Sequence, residues 1–346
     1  MKHMVDRRRF MGSFLLGAFA FFKKWQGVAS MQKQSRQSPS ANPEPAYSRL
    51  HQSGELEERG KALWAMMESC RLCPRECGTK RLKGKKGFCG ASAKLEVASF
   101  HPHFGEERPL VGRGGSGTIF FTHCSLRCVF CINGEISQEG EGKERSIEEL
   151  AGMMLDLQKM GCHNVNLVTP THYLPHIVLA LNLAAGRGLK LPVVYNTSGW
   201  EKPDILKMLD GIVDIYLPDF KYWDGEEAAR YSCGAETYPE ITKAALLEMH
   251  RQVGVANPGQ DGIMRRGLMI RHLVMPNRTS GTKEVLRWIS ENLSRDTYIN
   301  IMSQYRPAYK ANLYPTIARP IQREEYDEAL NWAREAGLTN VDSQGW

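Results

Sequence analysis

From residue 118 onward, short apolar runs alternate with longer segments whose apolar positions recur every three or four residues. The runs span 118–121, 164–169, 191–196, 212–217, 268–274 and 297–302. Each is four to seven residues long and read as a buried strand. Helical periods fill the gaps. Ser146 is placed to cap a helix through Met160, with Glu148 and Glu149 in its first turn. Further helices are predicted over 174–185, 202–209, 225–232, 237–253, 283–292 and 323–336. Six strands alternating with helices predict an α/β fold whose parallel sheet is built from (β/α) units. Such sheets gather their active sites at the carboxyl ends of the strands.

The chain before residue 118 reads differently. Residues 1–30 hold Arg7, Arg8 and Arg9, then a 13-residue apolar run from Phe10 to Phe22. That run is shorter than the roughly 20 residues of a membrane span. It has the layout of a signal-like or anchor segment, and the paired arginines make it twin-arginine-like. Residues 31–58, rich in Gln, Ser, Pro and charge, are predicted to be a linker. A short amphipathic helix with Leu63, Trp64 and Met67 leads into a cysteine-rich module over 59–112. A strand or connection at 95–104 closes the module and ends in His101-Pro102-His103, two histidines expected to hydrogen-bond in a loop. Glycines 112–117 precede a strand instead of following one, which excludes a dinucleotide loop. The (β/α) core is assigned to 113–310 and a helical extension to 311–346.

Charge and composition narrow the partners. The net charge is +7, with 24% charged and 42% hydrophobic residues, ordinary for a globular protein. Much of the excess sits at the N-terminus and between Lys80 and Lys86, so a nucleic-acid surface is not expected. Seven of the nine cysteines fall between Cys70 and Cys131. An odd, clustered set favours metal sites in a reducing compartment over disulfides. Cys162 and Cys233 stand apart and read as incidental.

Two clusters carry the candidate chemistry. Cys70, Cys73, Cys77 and Cys89 have the spacing of a structural zinc knuckle, a second iron–sulfur site, or four reduced thiols in a loop-rich lobe. The second cluster, Cys124-x-x-x-Cys128-x-x-Cys131, follows the first predicted strand of the core directly. Three thiolates can hold three irons of a 4Fe–4S cluster and leave the fourth open. The same spacing also suits one buried face of a helix. The strand ends add polar groups beside it: Thr169-Pro170-Thr171-His172, Asn196-Thr197-Ser198-Gly199, Asp219-Phe220-Lys221, Arg271-His272 and Ser303-Gln304-Tyr305. A non-catalytic protein with zinc at both clusters would need a fourth ligand near Cys124, and only His123 is adjacent.

The three-cysteine loop, with Phe130 before its last cysteine, resembles the radical SAM superfamily. Further stretches resemble its PflX-like branch, homologues of pyruvate formate-lyase activating enzyme. These are Cys70-Arg71-Leu72-Cys73-Pro74-Arg75-Glu76-Cys77, Gly115 to Phe121, Asn166 to His172, Tyr195 to Gly199, Asp214 to Lys221 and Ile270 to Val274. The resemblance runs from about residue 60 to the end and implies a partial (β/α)6 barrel with a small N-terminal cysteine-rich lobe.

It also implies a 4Fe–4S cluster on Cys124, Cys128 and Cys131, with S-adenosylmethionine chelated at the open iron. Reductive cleavage of the sulfonium would give a 5′-deoxyadenosyl radical that takes hydrogen from a substrate. The expected substrate is a protein that becomes a glycyl-radical enzyme, with a peptide, an RNA base or a small molecule as the alternatives. A low-potential donor such as flavodoxin or ferredoxin would supply the electron. Where many members carry Gly-Gly-Glu for the methionine amine, this chain has Thr169 to His172, so Thr169 and Thr171 are candidates for that contact. Asn196 and Ser198 would suit ribose or amine, Lys221 beside Asp219 the methionine carboxylate, and Arg271 and His272 the cofactor or substrate. Ile132-Asn133-Gly134 offers few side chains after the last cysteine, which would widen the pocket there. Because the cofactor and reductant are intracellular supplies, the expected location is the cytoplasm or its membrane face, with twin-arginine export as the alternative.

Overall fold

A computed structural model describes residues 44–343. The strands are β1 Leu95–His103, β2 Ser116–Phe121, β3 Lys143–Arg145, β4 Val165–Val168, β5 Val193–Thr197, β6 Ile215–Pro218, β7 Gly267–Leu273, β8 Tyr298–Met302 and β9 Val341–Ser343. The helices are α1 Tyr47–Ser53, α2 Glu55–Ala65, α3 Arg108–Val111, α4 Ile147–Lys159, α5 Leu174–Gly186, α6 Pro203–Met208, α7 Gly225–Tyr231, α8 Tyr238–Val253, α9 Thr282–Asn292 and α10 Arg323–Glu335. They form one sheet in the order β3-β1-β2-β4-β5-β6-β7-β8-β9. From β2 to β9 every pairing is parallel, while β1 pairs antiparallel with both β2 and β3.

The six expected parallel strands are β2, β4, β5, β6, β7 and β8. Every residue of β5, β6 and β8 is buried, as continuous apolar runs covered on both faces require. The capping box at Ser146 forms as predicted: its side chain accepts from the Glu149 amide at 3.1 Å, and the Ser146 amide donates to Glu149 at 2.7 Å. Helices α2 and α4 both pack on α5.

Three expectations change. The linker assigned to 31–58 is helical from Tyr47, through α1 and into α2. Tyr47 is fully buried and donates its hydroxyl to the Leu191 carbonyl, and the Ala46 amide donates to Asp214. The cysteine-rich module contributes β1 to the same sheet, which carries His101 and His103 out of any loop. The extension 311–346 is not helical only, since β9 pairs in parallel with β8. All described residues fall in one compact unit. The leader reading of residues 1–30 lies outside the described residues, and none of the described helices is long and apolar enough to cross a membrane.

Polar side chains turn to the inside of the curved sheet, where α3 and the residues before it reach across. Glu107 accepts from Asn300 of β8 at 3.0 Å, and the Leu110 carbonyl accepts from Asn164 at 2.9 Å. This segment floors the space that opens at the carboxyl ends of the strands.

Candidate active site at the strand ends

β2 delivers the chain into a loop that curls back on itself. His123 and Arg127 both take left-handed backbone, with φ of 69° and 56°. The His123 amide donates to the Ile136 carbonyl at 3.0 Å, and the Val129 amide to the Tyr231 carbonyl at 2.8 Å. No helix forms over 122–132, so the alternative of three cysteines on one buried helical face does not hold. Cys124, Cys128 and Cys131 instead line one cavity of about 600 Å³. Ser232 donates its hydroxyl to the Cys128 sulfur, and Ser137 to the Cys131 sulfur, each at 3.2 Å. Burial pushes the Cys124 thiol up to about 11 and the Cys128 thiol up to about 12, with Lys221 pulling both down. Held as thiolates, such groups call for a strongly cationic partner.

The same cavity also carries charge. Lys221 donates to Asp219 at 2.6 Å, and Arg271 donates to the other Asp219 oxygen at 2.9 Å. Arg271 also donates to Asn196 and to Glu106, the latter at 3.3 Å. Against burial, Arg271 and then Lys221 hold the Asp219 carboxyl below its ordinary range. Against its own burial, Lys221 is held above its range by Asp219 and then Cys128. Burial pushes Glu106 up to about 7, against the pull of Arg271.

Of the residues singled out from sequence, Thr169, Asn196, Ser198, Asp219, Lys221 and Arg271 line this cavity together with the three thiols. Thr169 stands at φ 58°, a backbone region costly for a β-branched residue. Gly199 is required beside it: its φ is 81°, and a Cβ there would lie 2.0 Å from the Asp219 carbonyl oxygen.

Two expected residues are placed elsewhere. Thr171 opens a 3-10 turn and donates to Glu201 at 2.6 Å, in the buried layer behind the cavity. His272 follows Arg271 on β7, so strand alternation sends it to the opposite face. There it is fully buried between the Phe220 carbonyl, at 2.6 Å, and the Thr282 hydroxyl, at 2.9 Å.

Sequence reasoning missed Glu106 and Glu201. Glu201 is fully buried and accepts from Thr171, Tyr195 and Thr197, and burial pushes its carboxyl up to about 7. Neither glutamate belongs to a motif, and their partners lie on other elements. Cys233, read as incidental, lies against the cysteine loop, its thiol donating to the Arg127 carbonyl at 3.4 Å.

In the N-terminal cluster Cys70, Cys73 and Cys89 are buried and Cys77 is exposed. A Cβ on Gly87 would lie 3.5 Å from the sulfurs of both Cys77 and Cys89, so these two thiols share one pocket wall. Arg81, fully buried, donates to the Cys70 sulfur at 3.8 Å and to the His172 carbonyl at 2.8 Å. Among the described residues no three His, Cys, Asp or Glu side chains close around a single-ion point. His123 is not among the residues that line the three-thiol cavity.

Three comparisons bear on this arrangement. The sequence model of the radical SAM superfamily matches residues 118–289. The uncharacterized protein MJ0674 of Methanocaldococcus jannaschii is 33% identical over 282 residues, covering 79% of this chain and 76% of that protein. Among solved structures, HydG, titled a maturase of the [FeFe]-hydrogenase, aligns with a TM-score of 0.43 at 12% identity over 64% of this chain and 49% of HydG. Methylornithine synthase (PylB) aligns with a TM-score of 0.40 at 15% identity over 64% of this chain and 68% of that one. The chain thus spans about half the length of HydG. With three thiols on a strand-end loop of a (β/α) sheet, the fold and site define a metal-dependent α/β enzyme. The chain belongs to the radical SAM superfamily.

Membership implies a 4Fe–4S cluster and S-adenosylmethionine. The residues present fit both. Three sulfurs line one cavity, and Asp219 with its two cations, Lys221 and Arg271, lines it too.

Proposed function

We propose that this protein reductively cleaves S-adenosylmethionine and abstracts hydrogen from a substrate, as a PflX-like relative of pyruvate formate-lyase activating enzyme. When bound, the cluster and S-adenosylmethionine supply the electron transfer and the radical; the protein binds, orients and shields them. The observation that carries the reading is the single cavity shared by Cys124, Cys128 and Cys131 with Asp219, Lys221 and Arg271.

Cys124, Cys128 and Cys131 hold three irons. Lys221, kept charged by Asp219, receives the methionine carboxylate. Asn196 and Ser198 offer acceptors and donors to ribose or amine, and the Thr169 hydroxyl and carbonyl take part of the place of the Gly-Gly-Glu contact. Arg271, braced by Asp219 and Glu106, faces the same space. Thr171 and His272 have no direct contact in this assignment. Phe120 and Phe130 contribute apolar wall, which limits water beside the reacting atoms.

A protein that becomes a glycyl-radical enzyme is the proposed substrate, supported by the motif resemblance to the activating enzyme. The electron comes from a low-potential donor of the flavodoxin or ferredoxin kind, and the supply of cofactor and reductant places the reaction in the cytoplasm. The four N-terminal cysteines take zinc or a second iron–sulfur cluster in this reading. A non-catalytic zinc protein is disfavoured because His123, the ligand type adjacent to Cys124 in sequence, is not among the residues that line the three-thiol cavity.

The test is anaerobic reconstitution with iron and sulfide, then dithionite and S-adenosylmethionine. 5′-Deoxyadenosine should form, and Cys128→Ala should abolish it. No product from cluster-loaded protein, or full activity in Cys128→Ala, overturns the enzyme reading. Deuterium transfer between 5′-deoxyadenosine and candidate proteins or metabolites then identifies the substrate. Label recovered in a peptide, RNA or small molecule with no glycyl-radical protein labelled replaces the activating-enzyme assignment.

A further inference from the structure

The turn that carries the first cysteine cluster also grips the second. Arg75 lies between Cys73 and Cys77 in a turn closed by the Glu76 amide donating to the Cys73 carbonyl at 3.0 Å. Its guanidinium is sandwiched by two rings, 4.2 Å from the Phe88 centroid and 4.7 Å from that of Trp200. Stacked this way, the plane of the fork is fixed and its edges are free to donate.

All four of its recorded acceptors are backbone carbonyls in the two segments that flank the three-thiol cavity. Nε donates to Ser125 at 3.0 Å and Nη2 to Leu126 at 3.5 Å, both inside the cysteine loop. Nη2 also donates to Ser232 at 2.9 Å and Nη1 to Gly234 at 3.3 Å, in the turn after α7. Ser232 in turn donates its hydroxyl to Cys128 at 3.2 Å. One side chain from the four-cysteine module therefore ties together the backbone after Cys124 and the residue that hydrogen-bonds Cys128.

A second strap runs beneath it. Arg81 links the Cys70 sulfur to the His172 carbonyl, and His172 Nε2 lies 2.7 Å from the carbonyl of Thr122, two residues before Cys124. The backbone on both sides of Cys124, at Thr122 and at Ser125 and Leu126, is thus held from the same module. A loop with left-handed backbone at His123 and Arg127 gets little help from regular structure, so such outside contacts determine its shape.

We propose that Arg75 is a positioning residue for the cysteine loop, through which the four-cysteine module fixes the spacing of the cluster thiols and keeps one positive charge beside them. The proposal rests on the iron–sulfur reading of Cys124, Cys128 and Cys131. Arginine stays protonated at any working pH, so its charge favours the reduced, more negative cluster whatever the buffer.

Two variants of the full chain separate the two roles. Arg75→Lys keeps the charge and loses the fork; Arg75→Gln loses the charge as well. Amide exchange of residues 123–132 is measured on cluster-free protein, and the reduced fraction of the loaded cluster is read by EPR at a fixed dithionite poise. Exchange should rise about tenfold or more in both variants. The ratio of reduced to oxidised cluster should stay near wild type in Arg75→Lys and fall about tenfold in Arg75→Gln, equivalent to about 59 mV for one electron.

Unchanged exchange in both variants overturns the positioning role. A reduced fraction in Arg75→Gln equal to that in Arg75→Lys overturns the charge role. If Arg75→Gln fails to fold, Arg75→Met, which puts an uncharged, flexible side chain beside the two rings, takes its place. Cluster-free exchange does not depend on turnover, so a protein that loads no iron counts against the enzyme reading while the exchange result still decides the positioning role.

Discussion

Lys221 Nζ lies 2.6 Å from an oxygen of Asp219, two residues earlier on the same extended segment, while the other Asp219 oxygen takes the Arg271 side chain at 2.9 Å. Asp219 thus sits between two cations, and Arg271 reaches on to Glu106 at 3.3 Å. Buried pairs of this kind are sensitive to the loss of either partner.

Lys221→Met keeps the stem and removes the charge. Asp219 remains paired with Arg271, so the loss of stability is expected to stay below the roughly 3 kcal/mol of a buried charge left with no partner. Affinity for S-adenosylmethionine should fall about tenfold, or about 1.4 kcal/mol. Isothermal titration with the cluster-loaded protein measures this; an unchanged dissociation constant removes Lys221 from the carboxylate role.

Arg271 and His272 are neighbours with opposite expected phenotypes. Arg271→Met leaves Glu106 and Asp219 short of a partner inside the cavity, and should cost about 3 kcal/mol of stability together with most cofactor binding. His272→Leu faces α9 instead and should cost about 1–3 kcal/mol through the unmet Phe220 carbonyl and Thr282 hydroxyl. Its affinity for S-adenosylmethionine should match wild type. Chemical denaturation and titration on the two variants check the pair, and cofactor binding lost in a folded His272→Leu protein would return that residue to the site.

Thr169 gives a different kind of test. A β-branched residue at φ 58° stores about 1–2 kcal/mol of backbone strain that glycine does not feel. Glycine also gains freedom in the unfolded chain, worth about 0.5–1 kcal/mol in the opposite sense. Thr169→Gly should therefore melt at or slightly above the wild-type temperature. Thr169→Val keeps the strain and deletes only the hydroxyl, so its melt should hold while S-adenosylmethionine binds several-fold more weakly. A clear drop in the Thr169→Gly melting temperature would mean the left-handed conformation is not strained in solution.

These cases mark what the chain revealed before its structure. The parallel core was legible because strand and helix periods alternate six times, and the strand ends located the cavity without tertiary information. Period-two alternation already separates Arg271 from His272, and reading both as contacts neglected it. Tyr47 and Leu50 stand in a segment too polar to announce a helix, although Tyr47 is fully buried. Glu106 meets Arg271 across 165 residues, and Arg75 meets Gly234 across 159. Such pairs leave no local pattern, because the partners meet only once the fold brings distant segments together.

Glu201 provides the pH test. In the unfolded chain its carboxyl titrates at its ordinary value of 4.5, while in the fold burial raises it to about 7. The folded protein therefore binds more protons than the unfolded one between those values. Stability from this group is fully present below 4.5 and is lost as pH rises through about 7, by up to about 3 kcal/mol. Glu201→Gln cannot titrate and should remove this slope. It pays instead at all pH values, because its amide donor meets the hydroxyls of Thr171, Thr197 and Tyr195, which now donate to Glu201. Subtracting the two urea-derived stability curves between pH 4.5 and 8 isolates the group from the other titrating residues. The difference should favour wild type most at the acid end and shrink toward pH 8; a difference that stays flat, or grows with pH, would mean Glu201 remains ionised against its hydroxyl donors.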